Sequence, residues 1–75
     1  MWTIYSRPHC SYCELAKILM TERGIKFEER GLIEEQDREW FKGQGYKTVP
    51  QIFDDADNHI GGYEELRKYF NNLSN

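Results

Sequence analysis

The spacing of apolar positions changes several times along the 75 residues, and each change marks a boundary. Trp2-Thr3-Ile4-Tyr5-Ser6 is a dense run of β-branched and aromatic residues closed by Arg7-Pro8. It predicts a short strand entering a loop, because the residue before a proline is steered away from helix. From Ser11 to Arg23 the interval lengthens: Leu15, Ile18 and Leu19 recur at helical spacing with Tyr12 one turn earlier, and Gly24 supplies the stop. Ile25 to Glu29 predicts a second strand, and Gly31 opens a connection. Glu34 to Gln44 predicts a helix with acids in its first turn, where the helix dipole favours them, and with Trp40 and Phe41 as its buried face; Gly45 ends it. Val49 to Phe53 predicts a third strand, near whose start Pro50 cannot hold an ordinary ladder position. After a polar turn from Asp54 to Asn58, His59-Ile60 returns as a brief fourth strand that Gly61-Gly62 breaks. A last helix carries the stripe Leu66, Tyr69, Phe70, Leu73.

The element order is therefore βαβ, α, ββ, α: an α/β chain whose strand-helix-strand opening favours a parallel pair with a right-handed crossover and whose short turn suits an antiparallel hairpin. No repeat, linker or low-complexity segment interrupts it, so a single domain over residues 1–75 is expected. Asp54, Asp55 and Asp57 lack the central glycine and the ligand spacing of a calcium loop and read as a solvated turn. Aromatic residues make up 15% of the chain, enough for a packed core despite a mean hydropathy of -0.84. Thirteen acids against ten scattered bases give a net charge of -3, which argues against nucleic acid as a partner. No eighteen-residue apolar run and no signal-like start is present, so a soluble, cytoplasmic protein without membrane contact is expected.

Cys10 and Cys13 are the only cysteines, too few for a secreted disulfide scaffold. In a reducing compartment a single Cys-x-x-Cys points to redox chemistry or metal, and a structural zinc site wants four ligands, for which the remaining candidates are His9, directly beside Cys10, and His59, far along the chain, so redox chemistry is the reading preferred. Cys10 falls at the strand-to-helix junction, where unpaired backbone N–H groups favour thiolate over thiol. Cys13, one turn on and on the same face, is placed to attack a mixed disulfide formed at Cys10. Cys10 is thus the candidate nucleophile and Cys13 the resolving thiol.

Three blocks in this order, Cys10-Ser11-Tyr12-Cys13, Thr48-Val49-Pro50-Gln51-Ile52-Phe53 and His59-Ile60-Gly61-Gly62-Tyr63-Glu64-Glu65-Leu66, resemble the glutaredoxin family across essentially the whole chain. The resemblance implies a thioredoxin-like fold, a four-stranded mixed sheet flanked by three helices. It implies glutathione as cosubstrate with no metal, and a monomer that reduces protein disulfides and glutathionylated proteins, ribonucleotide reductase among the family's acceptors. By the same resemblance, Arg7 and Lys47 stand near the glycine carboxylate of glutathione, Tyr12 flanks the ligand, and Thr48-Val49-Pro50 forms a turn with a cis proline whose Val backbone pairs with the ligand's cysteine. Gly62, Tyr63 and Glu64 lie where backbone N–H groups hold the γ-glutamyl carboxylate. Glu64 and Glu65 replace the shorter Ser or Asp of many relatives, and Asp37 stands where some have Gln; both departures argue for weaker glutathione binding. Arg38 beside Asp37 reads as a solvated helix residue. Two rival readings accompany this one: a hydrogen donor served by a thioredoxin reductase, and a dimeric carrier of a glutathione-ligated [2Fe–2S] cluster, which Ser11 in place of the usual proline suggests.

Overall fold

The computed structural model describes residues 1–73, so the last two residues of the expected domain lie outside the described residues. Its elements are β1 (Trp2–Ser6), α1 (Ser11–Glu22), β2 (Phe27–Gly31), α2 (Glu35–Gly43), β3 (Gln51–Phe53), β4 (His59–Gly61) and α3 (Tyr63–Leu73). The four strands form one sheet in the order β2-β1-β3-β4. β1 runs parallel to β2, from Trp2 opposite Phe27 to Ser6 opposite Gly31, and antiparallel to β3, with Ile4 opposite Ile52. β3 and β4 close the sheet as an antiparallel pair whose register slips between Ile52 and Phe53. This is the mixed sheet with three helices that the resemblance implied.

Alternation along β1 divides the interior in two. Ile4 faces Ala16 and Met20 of α1, Ile52 of β3, and Leu66 and Phe70 of α3 in one buried cluster, with Trp2 stacked on Phe70 at 6.1 Å. Tyr5 faces the other way and meets Trp40 and Phe41 of α2 at 5.8 and 5.6 Å and Phe53 at 5.8 Å. Tyr5 and Phe53 are thus packing residues.

Several boundaries and faces depart from expectation for identifiable reasons. The buried face of α1 is Cys13, Ala16 and Met20, while Leu15 and Ile18 are 42% and 53% exposed. Hydrophobicity pointed to the branched residues, but small Ala16 against the sheet turns them outward. β2 begins at Phe27, two residues late, because Ile25 is spent on the turn after α1, its N–H donating to the carbonyl of Met20. Gly24 makes that turn in the left-handed region, at a φ of 73°. Of the expected aromatic face of α2 only Phe41 is buried, Trp40 being half exposed, and α3 buries Leu66 and Phe70 but leaves Leu73 out. Gly61, expected to break β4, is its last residue. Asp54 closes the polar turn by accepting from the N–H groups of Asn58 and Ala56, each at 2.9 Å, and these bonds, that of Asn58 foremost, hold its carboxyl below the usual carboxylate range.

Candidate active site

The site forms where β1 ends and α1 begins. His9, exposed and left-handed at a φ of 60°, turns the chain so that Cys10 enters the N-cap position of α1 in an extended conformation. There the Sγ of Cys10 accepts the N–H of Cys13 at 3.2 Å, taking one of the donors that a helix N-terminus leaves unpaired. Cys10 and Cys13 are joined as a disulfide, with Cα atoms 5.3 Å apart. The two sulfurs differ in access: Cys10 is partly exposed, whereas Cys13 is 1% exposed against the sheet.

The turn before β3 closes over this pair. The Val49–Pro50 peptide is cis, as the resemblance implied, and the carbonyl of Val49 lies 3.9 Å from the Sγ of Cys10. Thr48 is fixed from behind by Gln51, whose buried amide donates to the Thr48 carbonyl at 3.1 Å and to its hydroxyl at 3.2 Å. The other end of that amide meets the Nε2 of His59 at 2.7 Å, so the hairpin β3-β4 carries the turn's geometry. Gln51 is a positioning residue that the sequence did not single out for this work.

Two grooves meet at Thr48 and Val49. One runs toward the N-terminus of α3 and is lined by Tyr12, Pro50, Gly62, Tyr63, Glu64 and Glu65. The rings of Tyr12 and Tyr63 stand 6.0 Å apart across it. Glu65 folds back so that its Oε1 accepts the N–H of Gly62 at 2.8 Å, and Glu64 pairs with Arg67 at 3.4 Å. The other groove runs under α2 and is lined by Arg7, Arg38, Lys42, Tyr46 and Lys47 over the buried side chains of Leu32 and Phe41. Every residue nominated from the sequence therefore lies at the disulfide or in one of the grooves beside it. Lys42 and Tyr46 were missed, and so was Arg38, read as a solvated helix residue. The available signal was spacing, since Lys42 follows Arg38 by four residues on one helix and so shares its face.

A cysteine pair capping the helix that follows the first strand of such a sheet defines a thioredoxin-like thiol–disulfide oxidoreductase. The glutaredoxin family model matches residues 2–60. The chain belongs to the glutaredoxin family. It is 42% identical over 65 residues to glutaredoxin 3 of Escherichia coli K12, covering 84% of this chain and 77% of that protein. Among solved structures it resembles glutaredoxin 1 of Francisella tularensis in complex with cacodylate, with a TM-score of 0.84 and 34% identity over 96% of this chain and 93% of the other. It also resembles the buckwheat glutaredoxin–glutathione complex, with a TM-score of 0.80 and 25% identity over 95% and 68% of the two chains. No helix among the described residues is long and apolar enough to cross a membrane.

Proposed function

We propose that this protein is a cytoplasmic glutathione-dependent reductase of protein disulfides and glutathione mixed disulfides. The observation that carries the reading is the asymmetry of the sulfurs: Cys10 is partly exposed beside the grooves at a helix N-cap, and Cys13 is shut against the sheet. In the reduced protein the N–H of Cys13 and the partial charge of the helix end favour a thiolate at Cys10. That thiolate attacks the glutathionyl sulfur of a mixed disulfide, forming Cys10–S–S–glutathione and releasing the client thiolate. A second glutathione thiolate attacks the bound glutathionyl sulfur, which yields glutathione disulfide and restores the Cys10 thiolate. With a protein disulfide, Cys10 attacks first, Cys13 displaces the client, and two glutathione molecules then reduce the internal disulfide.

Glutathione crosses both grooves in this reading. Its glycine carboxylate meets Arg7 and Lys47, its cysteine lies along the backbone of Thr48-Val49-Pro50, and its γ-glutamyl end lies by Tyr12, Gly62, Tyr63 and Glu64. The buckwheat protein's complex with glutathione supports that choice of ligand. The test is a glutathione-coupled assay on a glutathionylated peptide with each single-cysteine variant. Cys10→Ser is expected to lose at least about 1,000-fold in rate, in line with removal of a nucleophile. Cys13→Ser is expected to keep the same order of activity, because external glutathione resolves the intermediate. Equal loss in both variants would overturn the mechanism.

A further inference from the structure

Charge is divided across Cys10 more sharply than one tripeptide requires. Four of the ten basic residues, Arg7, Arg38, Lys42 and Lys47, line the groove under α2, and no acid lines it. None of the four pairs with a carboxylate among the described residues, whereas Lys17, Arg30 and Arg67 all do. Arg38 is held in place by its own main chain, its guanidinium donating to the carbonyls of Ile33 at 2.6 Å and Leu32 at 3.4 Å. In a chain of net charge -3, four unneutralised cations around one concave patch define a site for an anion. The single glycine carboxylate of glutathione is met by Arg7 and Lys47 in the reading above, which leaves Arg38 and Lys42 over. Beyond Thr48 and Val49 the sign reverses: Glu64 and Glu65 line the second groove, with no cation among its lining residues. Arg67 shares the charge of Glu64 at 3.4 Å, so the cationic arm carries most of the discrimination.

We propose that the protein selects polypeptide disulfides whose reactive cysteine is followed by acidic side chains, a basic residue on the preceding side adding a smaller preference. The direction rests on the proposed glutathione reading, in which the C-terminal end of the ligand lies on the side of Arg7 and Lys47. An extended client crossing Cys10 then sets its following residues against Arg38 and Lys42 and its preceding residues toward Glu64 and Glu65. The Cys10 thiolate attacks one client sulfur, forming a mixed disulfide and expelling the other client sulfur as a thiolate that takes a proton from water. Cys13 gives up its proton and attacks the Cys10 sulfur, forming the internal disulfide and releasing the second client thiol. The dithiol supplies both electrons, so one turnover needs no other reductant.

The experiment is a single turnover of pre-reduced protein with symmetrical disulfides of two blocked peptides of equal composition. One peptide has Lys before its cysteine and two Asp after it; the other has the reverse order. At low salt the first is expected to react about tenfold faster, a ratio that falls toward unity at about 1 M salt, where the screening length is about 3 Å. Lys42→Glu is expected to erase the ratio, read as the rates of the two peptides relative to one another within that variant. Should that variant fail to fold, Lys42→Ala carries the test with a ratio reduced about threefold. Equal rates for the two peptides, a reversed preference, or a ratio untouched at Lys42 would each overturn the proposal. Neither arm contains glutathione, so failure of the glutathione-coupled assay and failure of the peptide ratio are read separately.

Discussion

Glu65 spends its carboxylate on a donor that a ligand would also want. Its bond to the Gly62 N–H is the return half of a capping box, and it withholds that amide from a γ-glutamyl carboxylate arriving at the start of α3. Glu65→Ala is therefore expected to lower KM for a glutathione mixed disulfide while destabilising the protein by about 0.5–2 kcal/mol. Steady-state kinetics beside urea denaturation check both halves, and an unchanged or higher KM refutes the competition. At the cysteines the prediction follows access: in the reduced protein, iodoacetamide should modify Cys10 well before Cys13, which is 1% exposed. Mass mapping of the partly alkylated protein reads the order directly, and faster labelling of Cys13 would reverse the roles. The placement of both cysteines was legible in the sequence because their spacing and the strand-to-helix junction determine it. The inward turn of Glu65 was not, because a first-turn acid satisfies the helix dipole equally well pointing into water.

Among the elements, β4 and α3 are joined most tightly at Gly61. Its φ of 121° is a conformation L residues avoid, and a Cβ placed there would lie 2.8 Å from the Cβ and Cγ of Glu65. Gly61→Ala is thus expected to cost about 1–3 kcal/mol from the backbone alone, with further loss as Glu65 is displaced from its cap. A thermal midpoint within error of the parent would show that the junction relaxes freely. Element order and type were readable because each segment changes its apolar period at a glycine, a proline or a polar turn. The facing of α1 was not, because Leu15 and Ile18 outweigh Ala16 in hydrophobicity while Ala16 is the residue whose size admits close approach to the sheet. The start of β3 was misread for a related reason: β-propensity includes Val49, but the Val49–Pro50 peptide belongs to the turn over the cysteines.

For the molecule as a whole, the parallel pairing of β1 with β2 and the antiparallel hairpin of β3 and β4 followed from connection rules. What sequence rules left open was which charges the tertiary structure joins. Glu29 of β2 accepts from the hydroxyl of buried Ser6 at 2.7 Å and from Lys17 of α1 at 2.9 Å, and Lys17 also meets Glu14 at 2.8 Å. The Ser6 hydrogen bond first and the Lys17 bond second hold the Glu29 carboxyl below its ordinary value of 4.5. A carboxyl depressed in the folded state adds stability above its unfolded value and loses it as pH falls through the lower folded value. Ser6→Ala should therefore destabilise the protein at pH 7, by less than about 1 kcal/mol because the Glu29 side chain is 43% exposed. The gap to the parent should narrow as pH falls below 4.5, as urea midpoints measured down that range would show. A gap that widens in acid would contradict the assignment. The same pair bears on the sheet's outer boundary. β2 is an edge strand, and Glu29 projects from it toward α1, on the side where a newly added strand would have to lay its own side chains. Any second sheet that paired with this edge would have to strip water from a carboxylate and an ammonium already committed to each other, so the bridge between β2 and α1 also guards the open edge against aggregation.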